Sequence, residues 1–93
     1  MIDVTTVSQN DPFEFQVTVK EKDSESQHRV TMGSDDYHKL GGNDTSPEEC
    51  IEAAFRFLLD REPKESILGK FDVSVISRYF PEFRDKFPDY LKA

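Results

Sequence analysis

The stretch from Ser46 to Glu62, Ser-Pro-Glu-Glu-Cys-Ile-Glu-Ala-Ala-Phe-Arg-Phe-Leu-Leu-Asp-Arg-Glu, restricts the fold more than any other part of the chain. Set at 100° per residue, Glu49, Glu52, Arg56 and Asp60 share a stripe about 80° wide, and the apolar positions from Cys50 to Leu59 sweep the remaining arc of roughly 240°. A surface helix buries an arc little wider than about 100°. This one needs walls on two sides, so it is expected to be the hub of the fold. Its ends are written in the sequence as well. Ser46 is a natural N-cap, Pro47 suits the first helical position, Glu49 completes a Ser-x-x-Glu capping box, and Pro63 ends the segment.

The first wall is legible upstream. Phe13, Phe15, Val17 and Val19 alternate with Glu14, Gln16, Thr18 and Lys20, a period of two that predicts a half-buried strand. Gln27 to Gly33 alternates again, with His28, Val30 and Met32 on one face, and the polar run Glu21 to Ser26 between them reads as a turn. Such a hairpin is marginal alone. Ile2 to Val7 can add a third strand before the Asn10-Asp11-Pro12 turn. Ser34 is placed to cap a short helix through Leu40, stopped by Gly41-Gly42.

The second wall has to come from the C-terminal third. Phe71-Asp72-Val73-Ser74-Val75 alternates like a strand, yet Asp72 as an N-cap followed by Val73, Ile76 and Phe80 has helical spacing. Ile76 to Phe80 breaks the alternation and favours helix. Ser66 to Gly69 reads as one helical turn before it. Phe80-Pro81-Glu82-Phe83 is echoed by Phe87-Pro88-Asp89-Tyr90, each with a proline where a helix can start and an acid in its first turn, which predicts two short helices across the hub. The whole reads as one α+β domain over residues 1–93: an N-terminal antiparallel β-hairpin or three-stranded sheet, packed on the central helix (about 46–62) and closed by short C-terminal helices.

Chemistry is sparse. Only two histidines are present. His28 shares a strand face with Val30 and Met32, where a satisfied buried imidazole is the default, and His38 lies beside Tyr37 in the short helix. Neither belongs to a catalytic motif. The spacings of His28, His38 and Cys50 match no zinc pattern, and the acid pairs Asp35-Asp36 and Glu48-Glu49 suit helix starts better than calcium loops. No glycine pattern cradles a phosphate. The expectation is a non-enzyme without metal or cofactor. A single Cys50 among apolar positions forms no internal disulfide and fits a reducing cytoplasm, and nothing in the amino-terminal run suggests a signal peptide.

The formal charge of −7 is uneven: residues 1–60 carry a net −8 and residues 61–93 a net +1. A negative body opposes phosphate backbones, and the basic residues Lys64, Lys70, Arg78, Arg84, Lys86 and Lys92 are interleaved with acids, so nucleic acid is disfavoured as a partner. No apolar run is long enough to span a membrane. What remains is a small cytosolic binding or regulatory protein acting through protein contacts, a second copy of the chain among the partners considered. Tyr79, Phe83, Phe87 and Tyr90 are its candidate partner-binding residues, and core packing is the competing role for the same aromatics.

Two resemblances bear on these expectations. Phe57 to Leu68, with Phe71-Asp72-Val73 and Ile76 to Phe83 after it, resembles a segment of short uncharacterised bacterial proteins over about the last half of the chain, and the hairpin resembles theirs. That family carries no assigned activity, so the resemblance implies no functional residue. A looser likeness, in strand pattern and charge, is to HicB-type antitoxins. It implies an alternative role as a regulator that binds a small basic protein, and DNA with it.

Overall fold

A computed structural model describes residues 1–41 and 44–91. The chain forms an α+β fold. Its strands are β1 (Ile2–Ser8), β2 (Phe13–Glu21), β3 (Ser24–Met32) and β4 (Lys70–Asp72), and its helices are α1 (Ser34–Leu40), α2 (Pro47–Leu59), α3 (Ile76–Tyr79) and α4 (Phe83–Leu91). The sheet order is β1-β2-β3-β4; β1, β2 and β3 are antiparallel neighbours, and β4 runs parallel to β3.

The period-two pattern sets the faces of the sheet. Phe15, Val17 and Val19 of β2 and His28, Val30 and Met32 of β3 are buried on one face. The other face is polar, tied by Arg29 to Glu14 (2.5 Å) and Gln16 (3.1 Å). The third strand expected at Ile2 to Val7 is present and extends to Ser8, with a register shift between Thr6 and Ser8. The polar turn is shorter than its composition suggests: Glu21 pairs with Ser24, leaving Lys22-Asp23 as the link. Ladder pairing extends both strands through side chains that prefer water, because backbone bonds do not depend on their polarity.

Helix α2 lies on the apolar sheet face. Its N-terminus carries the full capping box, with Glu49 N donating to Ser46 Oγ at 3.1 Å and Ser46 N donating to Glu49 Oε1 at 3.0 Å. The helix closes at Leu59, earlier than Glu62, and residues 60–62 turn away with Arg61 N and Glu62 N both donating to Leu58 O at 2.9 Å. Cys50, Ile51, Ala53, Ala54, Phe55, Phe57 and Leu58 are all buried. Phe55 and Phe57 leave the axis roughly 160° apart. Phe55 points to the sheet side, against His28 (5.3 Å between ring centroids) and Phe71 (6.0 Å), while Phe57 meets Phe80, Phe83 and Tyr90 on the other.

Four further details differ from the sequence reading. The first is β4. Lys70–Asp72 joins the sheet, which is therefore mixed and four-stranded, and Asp72 then caps a 3-10 turn, Val73–Val75, by accepting from Ser74 N at 3.0 Å. Strand and helix signals overlap there because both are used in succession. Secondly, the helical turn expected at Ser66 to Gly69 lies at Lys64–Ser66, leaving Ile67 extended and buried. Thirdly, Ser34 caps nothing. Gly33 is the N-cap of α1, and Asp11 accepts from Ser34 N (3.0 Å) and Ser34 Oγ (3.1 Å), a cap supplied from 23 residues upstream. Gly41 ends α1 without a left-handed conformation (φ −113°); a Cβ there would sit 2.4 Å from Cys50 Sγ, so close approach to α2 is what requires glycine. Gly42 lies outside the described residues.

The last difference concerns the tail. The second Phe-Pro unit starts no new helix, because Pro88 sits inside α4. Proline there removes the bond its N–H would give to the carbonyl of Arg84 and crowds that carbonyl. The helix continues because Phe83 and Phe87 are buried on the same face, and because Arg56 Nη1 donates to Tyr90 O at 3.2 Å. Pro88 is exposed, so Pro88→Ala restores a helix bond without disturbing the core. Helix propensity favours alanine by up to about 3 kcal/mol, and the freer unfolded chain gives back about 1. The variant is expected to raise the thermal midpoint by roughly 5–10 °C in calorimetry.

Candidate functional site

The structure separates the four aromatics that the sequence groups together. Phe83 (1% exposed) and Phe87 (0%) are core residues, their rings 5.2 Å apart and Phe83 edge-on to Phe57 at 4.9 Å. They offer no surface to a partner. Their spacing of four, joined to a continuous helix, puts both on its inner face. Tyr90 is half-buried. Its ring packs edge-on against Phe57, and its hydroxyl donates to Asp60 Oδ2 at 2.5 Å while accepting from Arg61 Nη1 at 3.3 Å. Arg61 completes that lock, with its guanidinium 3.7 Å from the centroid of the Phe57 ring and Nε donating to Glu82 at 3.0 Å. The Glu82 carboxylate, followed by the Tyr90 hydroxyl, holds Arg61 above the ordinary arginine range. Tyr79 alone of the four faces water, at 66% exposure.

Tyr79 stands beside a groove of about 190 Å3. Buried Leu58, Ile67 and Ile76 form its floor; Leu68 and Tyr79, both strongly exposed, and half-buried Phe80 stand at its edges. Glu62 is the one charged residue of the lining among the described residues. Three local choices make this groove. The chain leaves α2 at Leu59, turns at Lys64–Ser66 and runs extended to β4, so Leu68 comes to lie opposite α3. Gly69 O accepts from Arg29 N at 2.8 Å, anchoring the run to the sheet. Leu58 and Glu62 belong to one turn of chain, Glu62 N donating to Leu58 O at 2.9 Å, and no local sequence signal marks this surface.

His28 and Lys64 are committed to structural contacts. His28 is 2% exposed. Its Nδ1 lies 2.8 Å from Leu68 O, which can only accept, so Nδ1 carries a proton there; Nε2 lies 2.8 Å from Ser26 Oγ. The imidazole thus ties β3 to the groove's edge. His38 is exposed on α1 with its ring 5.4 Å from that of Tyr37. Lys64, one of the basic residues weighed for a nucleic-acid partner, is buried at 2% exposure. Its ammonium donates to Glu21 Oε1 (2.8 Å), to Ser24 Oγ (2.5 Å) and to Glu65, clamping the end of the β2–β3 hairpin to the turn after α2. Hydrogen bonds to Glu21 and then Glu65 raise its pKa above the ordinary lysine value. The lysine's part of that contribution is present below about pH 10.4 and is lost as pH climbs through the raised value, while the part of Glu65, whose pKa is lowered first by its hydrogen bond to Lys64, is lost as pH falls through that lowered value.

Among the described residues, no group of three or more His, Cys, Asp and Glu side chains could hold a metal ion, and no helix is long and apolar enough to cross a membrane. Comparison with protein-family models, with curated proteins and with solved structures returned no match.

Cys50 is a packing residue, 1% exposed beneath Gly41. Burial, and secondly the Glu49 carboxylate, push its thiol up to about 11. The thiolate is the reactive form, so a shift of this size suppresses reaction by roughly two orders of magnitude relative to a free cysteine. Alkylation by iodoacetamide near pH 8 is expected to be at least 100-fold slower in the native protein than in urea, read by intact mass. A native rate within about tenfold of the unfolded one would mean the site is open.

Proposed function

We propose that this chain is a small, non-catalytic binding or regulatory protein that acts through protein contacts, and that the groove between the Ile67-Leu68 run and α3 is where a partner docks. The carrying observation is the exposure of Leu68 (48%) and Tyr79 (66%) on either side of a continuous apolar floor. A folded chain that buries Phe83 and Phe87 completely has no packing need to leave these two side chains in water. Size supports a protein partner over a metabolite. Pockets for drug-sized ligands run from about 300 to 1,000 Å3, and this one is smaller and offers few convergent polar groups. It suits one or two apolar side chains. A dry apolar floor bordered by an exposed aromatic and by polar residues such as Glu62 and Ser66 is the anatomy of an interface patch.

Leu68→Lys and Tyr79→Glu both change solvent-facing atoms and should leave the circular dichroism spectrum and thermal midpoint within the range of ordinary surface variants. Affinity capture from native lysate, with the captured partner then titrated in pure form, is expected to show binding that each variant weakens by at least about tenfold. Retention of the same protein at the same affinity by wild type and both variants would remove the groove from the function. Turnover of a metabolite by the purified chain would remove the non-catalytic reading itself.

A further inference from the structure

Four large apolar side chains are strongly exposed among the described residues, and only two of them border the groove. The other two, Met1 (80%) and Val7 (50%), flank Asp3 and Thr5 on the exposed side of β1. That strand is the edge of the sheet. Its hydrogen-bond phase is fixed at one end: Met1 N donates to Lys20 O at 2.7 Å and Lys20 N to Met1 O at 2.8 Å. Antiparallel pairs alternate, so Asp3 and Thr5, facing Thr18 and Gln16, also bond inward to β2. The N–H and C=O groups of Ile2, Val4 and Thr6 therefore point away from the sheet, and among the described residues nothing bonds to them. Edge strands are commonly blunted by an edge lysine, proline or inward charge. Ile2 to Thr6 has no lysine, proline or inward charge, its one charge being Asp3 on the exposed side, and its irregularity falls beyond Thr6, at the register shift before Ser8.

We propose that β1 pairs with β1 of a second copy of this chain, antiparallel and centred on Val4, joining two four-stranded sheets into one. Only this centre brings all three outward-facing residues into bonded pairs: Val4 with the partner's Val4, Ile2 with the partner's Thr6, and Thr6 with the partner's Ile2, about six hydrogen bonds in all. The same register places Met1 opposite the partner's Val7, so the two exposed apolar side chains of the strand cover each other. It also places Asp3 opposite the partner's Thr5, with no charge facing a like charge directly. Lys20 Nζ lies 3.8 Å from Asp3 Oδ2 and offsets the carboxylate that the two-fold axis repeats. On the core face half-buried Val4 meets the partner's Val4, and half-buried Ile2 lies opposite the partner's Thr6, extending the layer beneath the sheet. Five residues of edge make a small interface, so the dimer is weak and concentration-dependent. It uses a surface separate from the groove.

Sedimentation equilibrium between about 10 μM and 1 mM, at moderate salt, is expected to show a monomer–dimer equilibrium. Thr5 is exposed, so its charge can be changed without touching the core. Thr5→Lys, set opposite the partner's Asp3, is expected to tighten the dimer roughly 3- to 10-fold, and Thr5→Asp to weaken it by a similar factor. Asp89→Asn, which makes the same net-charge change as Thr5→Lys on the far helix, and Tyr79→Glu in the groove should each leave the constant unchanged. A protein monomeric throughout the range overturns the proposal. So does a shift in the same direction for both Thr5 variants, an Asp89→Asn effect equal to that of Thr5→Lys, or a dimer abolished by Tyr79→Glu.

Discussion

Phe57 is the residue on which the arrangement turns. Helix α2 is apolar around most of its circumference, and the sheet covers only the side that carries Phe55. The opposite side projects a phenyl ring that, alone, would sit in water. Phe80, Phe83 and Tyr90 enclose it at 5.9, 4.9 and 5.7 Å, all near edge-on, and the Arg61 guanidinium lies over its face. Edge-to-face contacts of this kind add about 0.5–1.5 kcal/mol each beyond area burial. They explain why α4 survives a proline in its interior and why Tyr90 is locked in place by hydrogen bonds to Asp60 and from Arg61. The tail is thus a wall of the core, and most of its aromatics are spent on folding.

How much of this was readable in the chain follows from which forces are local. The capping box, the width of the apolar arc and the alternation of β2 and β3 are patterns within one element, and each appears where the residues put it. The need for a second wall was readable from the same arc. β4 was legible only as an alternation outweighed by helical spacing, because three residues beside β3 owe their strand conformation to a parallel ladder with Arg29, Val30 and Thr31, some forty positions away. The cap of α1 was hidden for the same reason: Asp11 lies before β2 in sequence and only the fold brings it to Ser34. Pro88 misled because proline at a helix start and proline tolerated inside one leave the same mark, and the burial of Phe83 and Phe87 decides between them.

The candidate site was legible only in part. Tyr79 was named, but its companions Leu68 and Glu62 were not, since nothing local distinguishes an exposed leucine from a buried one. His28 was placed correctly on the core face by alternation. Lys64 was not, because a lysine reads as surface until a hairpin end supplies two carboxylates and a hydroxyl to hold its ammonium. The exposed apolar side chains fall into two groups, one bordering the groove and one on the β1 edge, at residues the core does not use. Function in so small a domain is confined to what folding leaves over, and among the described residues these are the two places where large apolar side chains stay strongly exposed.

Native-state amide hydrogen exchange tests the two-sided burial of α2 most directly, because it measures how far each segment must open to reach water. If the helix is held between sheet and α4, the amides of Phe55 to Leu58 and of Phe87 exchange only through global unfolding, with the same opening free energy as Val17 and Val30 at the centre of the sheet. If α2 and α4 instead exchange by local opening while the sheet stays protected, the aromatic wall is not part of the core and Phe57 does not carry the fold.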